Sequence, residues 1–186
     1  MRRLATLVII ALLATPLAAS AQPATVILVR HAEKASAPAS DPGLTSEGVQ
    51  RATDLAAALA GARVTSVVTT QLVRTQLTAK PITDALGKPP IVVQTASTVS
   101  AHAEAVAAAV RARPAGDVVL VVGHSNTIPA IIAALGGPKL ADLCDPEYAW
   151  LFVLEFPAGG GAPRFIRATY GAPNPPDANA CTRTMR

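Results

Sequence analysis

The sequence TVILVRHAEK, Thr25–Lys34, contains the strongest strand signal of the chain and a cluster of polar residues directly after it. Its first five residues are apolar and mostly β-branched, which is typical of a strand that is buried on both faces of a sheet. A second run of the same kind, VVLVVGH, ends at His124. Open parallel sheets bind ligands beyond the carboxyl ends of their strands. We therefore predict that Arg30, His31 and His124 share one site.

Between and beyond these two runs, apolar stretches alternate with helical patterns, as in a layered α/β domain. Strands are predicted over Thr25–Val29, Thr65–Thr69, Ile91–Gln94, Val118–Val122 and Ala149–Phe156, with a hairpin partner over Arg164–Thr169. Helices are predicted from a cap at Thr45 or Ser46 to Gly61, over Val73–Leu86 with a kink or late start at Pro81, over Ser100–Ala112, and from just after His124 to Gly136. The expected fold is a single-domain, three-layer α/β/α sandwich with a mostly parallel central sheet.

The residue types at the two strand ends point to an anion. Arginine offers a planar, permanently charged fork that suits phosphate oxygens. A neutral histidine nitrogen is a competent nucleophile. Backbone N–H groups at the turn Gly123-His124-Ser125, at the start of a helix, also favour an anion. This combination predicts phosphoryl chemistry.

Five motifs, in order, resemble those of the histidine phosphatase superfamily, the phosphoglycerate-mutase-like proteins. They are Val29-Arg-His-Ala-Glu33, Leu44-Thr-Ser-Glu-Gly48, Thr70-Gln-Leu-Val-Arg-Thr75, Thr78-Ala79 and Val122-Gly-His-Ser-Asn126. The resemblance runs from Thr25 to about Leu135. Thr70 stands where the family usually has serine, and a hydroxyl is kept.

The resemblance implies roles for individual residues. His31 would attack phosphorus and carry the phosphoryl group, and His124 would hold and neutralise the phosphoryl oxygens. Arg30 and Arg74 would complete a positive cage around those oxygens. Three further residues are candidate substrate contacts: Asp41 and Thr45 in the loop after the first strand, and Asn126, which could equally cap the fourth helix.

Two departures from the family pattern bear on mechanism. Ala32 replaces the usual glycine and would narrow the approach of the backbone to phosphate. The carboxylate that usually follows the third strand and protonates the leaving group is missing from Thr95–Ala101. Glu33 and Glu104 remain as candidate general acids, although the usual task of Glu33 in the family is structural. A substrate with a good leaving group would need little protonation, as in the small members that resemble phosphohistidine phosphatases.

These features predict a phosphatase that works through a phosphohistidine on His31 and takes a small phosphorylated substrate. One alternative is a phosphate-binding or phospholigand-binding protein that uses the same pocket without catalysis. A phosphoglycerate mutase-type phosphotransferase is a third reading, weakened because the chain lacks the long insertions that supply mutase specificity. No cofactor is expected, and no metal is assigned because neither HExxH nor paired-cysteine spacing occurs.

The N-terminus has the pattern of a secretory signal. Met1-Arg-Arg3 precedes a short apolar core over Leu4–Ala14, and Ala19-Ser-Ala21 is a small-residue cleavage site. We expect a signal peptide over residues 1–21, a phosphatase-like domain over 22–170 and a Pro-rich C-terminal tail over 171–186. An uncleaved anchor is the alternative, but Pro16 interrupts the apolar run well short of about 20 residues. The expected location is periplasmic or secreted.

Charge and aromatic content argue against a nucleic-acid partner. The chain has 16 Lys and Arg and 12 Asp and Glu. Cleavage removes Arg2 and Arg3 and leaves 14 basic against 12 acidic residues, a formal charge of +2. Aromatic residues make up 3%, and no basic cluster is present. We therefore expect no nucleic acid and, after cleavage, no membrane among the partners.

Export would change the chemistry of the two cysteines, Cys144 and Cys181. An oxidising compartment allows a disulfide between them that pins the tail to the domain, and two free thiols are the alternative. The remaining histidine, His102, is expected on the exposed face of the third helix, with the mouth of the pocket as the other position for it.

Overall fold

The computed structural model describes residues 23–176. Six strands lie in this range: β1 Thr25–Arg30, β2 Ser66–Thr69, β3 Ile91–Val92, β4 Val118–Gly123, β5 Trp150–Glu155 and β6 Arg164–Thr169. Four helices connect them: α1 Ser46–Ala58, α2 Val73–Leu86, α3 Val99–Arg111 and α4 Thr127–Ala134. Every predicted helix and strand is present, with small differences at the ends.

The strands form one sheet in the order β3-β2-β4-β1-β5-β6. Neighbours from β3 to β1 are parallel, and β5 runs antiparallel to both β1 and β6. The mostly parallel sheet predicted from the sequence is therefore confirmed. β1 and β4 lie side by side in the centre, with Arg30 opposite Gly123 at their carboxyl ends.

The central strands are buried on both faces, as their continuous apolar sequence predicts. Val26 and Leu28 belong to the core that α3 and α4 cover, whereas Ile27 and Val29 belong to the core that α1 and α2 cover. Alternate side chains of one strand thus reach opposite layers. This arrangement is the predicted α/β/α sandwich.

Local sequence explains the element ends. The Thr45 hydroxyl accepts a 3.1 Å hydrogen bond from the Gly48 N–H and caps α1. α1 ends at Ala58, ahead of the predicted stop at Gly61. α2 has the predicted bounds with Pro81 inside it, and Gly87 ends it in the left-handed conformation at φ 61°. β3 is shorter than predicted and ends at Val92, at the edge of the sheet, where it pairs with β2 alone.

The predicted signal peptide, Cys181 and most of the predicted tail lie outside the described residues. Within residues 23–176, no helix has the length and apolar character needed to cross a membrane. The same residues contain no group of three or more His, Cys, Asp or Glu side chains arranged to hold a metal ion.

Candidate active site

The two histidines predicted to share a site lie together. The His31 N–H donates a 2.9 Å hydrogen bond to the Gly123 carbonyl, which extends the pairing of β1 and β4 by one residue. The two imidazole rings meet edge to face, with 5.3 Å between their centroids. The parallel register of two buried strands therefore sets the spacing of His31 and His124.

The rings open onto a pocket of about 980 Å³ at the carboxyl edge of the sheet. Its walls come from the end of β1, the start of α2, the loop before α3, the turn before α4 and the loop before β5. Nine of its polar or charged lining residues are Arg30, His31, Lys34, Arg74, His102, His124, Asn126, Asp142 and Asp145. The place of this pocket agrees with the rule for open parallel sheets.

His31 is held as a neutral imidazole with one nitrogen free. Its Nδ1 lies 2.8 Å from the Ala32 carbonyl oxygen, which can only accept, so Nδ1 carries the proton. Burial lowers the pKa of His31 from 6.5 to about 3, and the positive charges of Arg30 and Arg74 act in the same direction. The lone pair of Nε2 is therefore available near neutral pH, as a nucleophile requires.

His124 is fixed by a chain of hydroxyls. The Thr75 hydroxyl donates to the Leu72 carbonyl at 2.8 Å, so its oxygen accepts from Thr70 at 3.0 Å. The Thr70 oxygen in turn accepts from His124 Nε2–H at 3.2 Å. Nδ1 of His124 is buried and has no hydrogen-bond partner among residues 23–176. Burial, followed by charge on Arg74 and His102, lowers the pKa of His124 to about 4.

Arg30 is buried and is held largely by the loop before β5. Its Nη1 donates to the carbonyls of Cys144 and Asp145, both at 2.8 Å, and its Nη2 lies 3.6 Å from the Asp145 carboxylate. The guanidinium also stacks 4.1 Å from the centre of the Tyr148 ring. Within the described residues its Nε–H is buried without a partner. Arg30 therefore positions the loop and keeps one donor for an anion.

Arg74 is held at the start of α2 by Asp41. The Asp41 carboxylate lies 3.7 Å from Arg74 Nη1 and also accepts hydrogen bonds from the Val73 N–H at 3.1 and 3.2 Å. Burial lowers the pKa of Arg74, and the neighbouring Asp41 partly offsets this shift. Asp41, predicted as a substrate contact, thus lies behind Arg74 and caps α2.

The other candidate contacts differ in position. Asn126 is exposed on the pocket wall, and its side chain makes no capping hydrogen bond to α4. Thr45 caps α1 and is not among the residues that line the pocket. Ala32 is fully buried and does not line the pocket either, so its methyl group does not narrow the cavity.

Neither predicted general acid lines the pocket. Glu33 accepts hydrogen bonds from Arg51 Nε at 2.8 and 3.0 Å and pairs with Arg51 Nη2 at 2.7 Å. Arg51 also donates to the carbonyls of Tyr170 and Ala172 and so joins α1 to the segment after β6. Glu104 is exposed on α3. Glu33 therefore has a structural contact, in agreement with the usual task of this residue in the family.

Sequence reasoning missed two features of the site. His102 was expected on an exposed helix face, yet it is 2% exposed and lines the pocket. The alanines around it gave no contrast between an apolar and a polar face. Tyr148 stacks on Arg30 and lies 6.2 Å from the His31 ring, between centroids. The sequence offered one indication of Tyr148, namely that it is an aromatic residue in a chain with few aromatic residues.

Cys144 is buried in the pocket wall. The disulfide predicted between Cys144 and Cys181 involves a residue outside the described range, and it stays a prediction.

Part of the chain matches a known protein family. Residues 26–96 match the model of the histidine phosphatase superfamily (branch 1). No curated protein gives a significant sequence match.

Solved structures share the fold. A protein assigned as phosphohistidine phosphatase SixA from Agrobacterium tumefaciens is 24% identical, with a TM-score of 0.55, over 81% of this chain and 99% of that one. A protein from Nakamurella multipartitia with the same assignment is 26% identical, with a TM-score of 0.54, over 80% of this chain and 96% of that one. Mycobacterial glucosyl-3-phosphoglycerate phosphatase is 16% identical, with a TM-score of 0.57, over 80% of this chain and 99% of that one. The family match over residues 26–96 and the shared fold confirm the resemblance seen in the sequence.

Proposed function

We propose that this protein is a phosphatase that hydrolyses small phosphorylated substrates through a phosphohistidine on His31. The observation that carries the proposal is the state of His31. Its Nδ1–H is bound to the Ala32 carbonyl, and its pKa of about 3 keeps Nε2 unprotonated. A buried, neutral and oriented imidazole at the wall of a cationic pocket is suited to attack phosphorus.

The charges around His31 support the same reaction. Arg30 lines the pocket from the end of β1 and Arg74 from the start of α2, and the buried Nε–H of Arg30 has no partner among residues 23–176. When His124 is protonated, its Nδ1–H adds a third donor. These groups stabilise the charge that the phosphoryl oxygens carry while the group is transferred.

The reaction has two steps that balance. His31 Nε2 forms a bond to phosphorus while the bond from phosphorus to the leaving atom breaks, and the leaving group takes a proton from solvent, which the attacking water returns in the second step. Water then attacks the phosphohistidine, inorganic phosphate leaves, and neutral His31 is restored. Transfer to water distinguishes this reaction from that of a mutase, which returns the phosphoryl group to a substrate hydroxyl.

The substrate class rests on the leaving group. The neighbouring structures carry names that refer to phosphohistidine and to glucosyl-3-phosphoglycerate. Neither Glu33 nor Glu104 lines the pocket of this chain. We therefore favour phosphoryl donors whose leaving group is easily expelled, with phosphohistidine and aryl phosphates as examples.

The test is to incubate the protein with ³²P-labelled aryl phosphate and to stop the reaction with denaturant. We expect acid-labile, alkali-stable label on His31, with release of inorganic phosphate to water. The variant His31→Asn keeps a donor for the Ala32 carbonyl but loses the nucleophilic Nε2, so both signals should disappear. Arg164→Gln, on the exposed end of β6, is the matched control and should keep both.

A second candidate is a phosphate-binding protein without catalysis. Its support is that both predicted general acids are absent from the pocket wall and that most donors of Arg30 already have acceptors. Binding of inorganic phosphate with no label on His31 and no phosphate release would favour this candidate over the phosphatase.

We further propose that the protein is exported, on the sequence pattern of Met1–Ala21 alone. Mass spectrometry of the protein recovered from a Gram-negative host should find Gln22 as the first residue in the periplasmic fraction. Recovery with Met1 intact in the membrane fraction would instead indicate an uncleaved anchor.

A further inference from the structure

We propose that His102 is the general acid of this site and that its Nε2–H protonates the leaving group. It would replace the carboxylate that the chain lacks after β3. This inference rests on the proposed phosphatase function and adds a residue and a proton path to it.

The position of His102 is the first observation. α3 begins at Val99, after the loop Thr95–Thr98 that forms one wall of the pocket. His102 lies in the first turn of that helix, is 2% exposed, and lines the same pocket as His31 and His124. His102 therefore lies close in sequence to Thr95–Ala101, the segment in which the family usually has its carboxylate, but it belongs to helix α3.

The orientation of the ring is the second observation. His102 Nδ1 lies 3.1 Å from the Gln94 carbonyl oxygen, so Nδ1 carries a proton in either charge state. Nε2 is buried and has no hydrogen-bond partner within residues 23–176. A buried polar atom without a partner is costly, by about 1–3 kcal/mol. Because His102 also lines the pocket, we assign its Nε2 to a group of the ligand.

The two acidic residues that line the pocket are placed differently from His102. The Asp145 side chain is fully exposed, and its carboxylate lies 3.6 Å from Arg30. Asp142 is exposed and has no hydrogen-bond partner within the described part of the chain. His102, in contrast, is buried, and the Gln94 carbonyl holds its ring in place. A general acid must be positioned toward the group that it protonates.

Charged and titratable groups from three other elements share the pocket with His102. The pocket brings His124 from the end of β4, Arg74 from α2 and Asp142 from the loop before β5. His102 and Arg74 both act on His124, whose pKa is lowered first by burial and then by these two groups. A bound phosphate dianion would add negative charge to the pocket that His102 lines.

The proton balance then closes over the two steps. As the bond from phosphorus to the leaving oxygen breaks, Nε2–H of the imidazolium gives its proton to that oxygen. Neutral His102 next takes a proton from the water that attacks the phosphohistidine. The product is inorganic phosphate, and the imidazolium is restored.

The test uses a series of aryl phosphates from 2,4-dinitrophenyl phosphate to phenyl phosphate, whose leaving groups differ in their need for a proton. The variant His102→Asn keeps a donor for the Gln94 carbonyl and loses Nε2. His102→Gln is a second variant of similar volume. Glu104→Gln, on the exposed face of the same helix, is the matched control for the alternative acid.

We expect His102→Asn to lower kcat/KM about 100-fold for phenyl phosphate and by less than about tenfold for the dinitrophenyl ester. The plot of log kcat/KM against leaving-group pKa should become steeper, while Glu104→Gln follows the wild type. An unchanged slope in both His102 variants, with ³²P label still on His31, would overturn the role of His102 and leave the phosphatase proposal standing. No label in the wild-type protein would overturn both.

Discussion

The main-chain N–H of Ala32 donates a 2.9 Å hydrogen bond to the Thr78 hydroxyl, which in turn donates to the Arg74 carbonyl at 2.7 Å. Thr78 is fully buried. One hydroxyl therefore joins the residue after His31 to the first turn of α2, which carries Arg74. This contact gives a physical reason for the Thr78-Ala79 motif, which lies far from His31 in the sequence.

We predict that Thr78→Val destabilises the protein by about 1–3 kcal/mol, because the Ala32 N–H is left buried without an acceptor. kcat/KM should fall as well, since His31 and Arg74 lose their shared support. Denaturant unfolding and steady-state kinetics measure the two effects. Thr83→Val, in the same helix, removes only a hydroxyl bonded to the Lys80 carbonyl and should change both by far less.

Gly48 is required by the close approach of α1 to the loop after His31. A Cβ built there would lie 2.4 Å from the Glu33 carbonyl oxygen, whereas nothing lies within 4 Å of one built at Gly61. Gly48→Ala should cost about 1–3 kcal/mol of unfolding free energy through this overlap. Gly61→Ala is the control, and equal stability of the two variants would contradict the prediction.

Glu33 is predicted to act through Arg51 rather than on substrate. Glu33→Gln leaves the buried guanidinium of Arg51 without its charged partner, so we expect a loss of about 1–3 kcal/mol in stability. The dependence of kcat/KM on the leaving group should stay as in the wild type. A selective loss for phenyl phosphate would instead assign the acid to Glu33.

Asp41 combines a helix cap with an ion pair, and two substitutions separate them. Asp41→Asn keeps an oxygen for the Val73 N–H but removes the charge beside Arg74, whereas Asp41→Ala removes both. We expect Asp41→Ala to lower stability by about 0.5–2 kcal/mol and Asp41→Asn by less. Chemical denaturation of both variants beside the wild type would show the difference.

The stability of the protein should fall as the pH is lowered from about 7 toward 4. His31 and His124 have pKa values of about 3 and about 4 in the folded chain, against 6.5 as the ordinary value. Between these values the unfolded chain binds more protons, so acid favours unfolding. The decrease in Tm from pH 7.5 to pH 5, where most carboxylates are still ionised, should be smaller in His31→Asn than in the wild type.

The sequence predicts the fold well because the deciding signals are local. Val26–Val29 and Val119–Val122 are β-branched or aliphatic without interruption, and the strand ends are marked by Arg30 after the first run and by Gly123 after the second. The pairing of β1 with β4 brings together the histidines that follow them. Strand ends and parallel topology thus suffice to place His31 beside His124.

The remaining parts of the site depend on contacts that local patterns do not encode. Arg30 donates to carbonyls 114 and 115 residues away, in a loop with no periodic pattern. His102 lies in an Ala-rich helix in which several faces look alike, so its burial follows only from how α3 packs on the sheet. Both are tertiary effects.

The hydrogen bond from His31 to Gly123 also bears on how the substrate-binding loops of such a protein can change in evolution. The distance between the two imidazoles is set by one pair of adjacent strands and by no loop. Insertions or deletions in Thr95–Thr98 would therefore reshape the wall that meets the substrate while His31 and His124 keep their spacing. The loop before β5 is more constrained, because its carbonyls also hold Arg30.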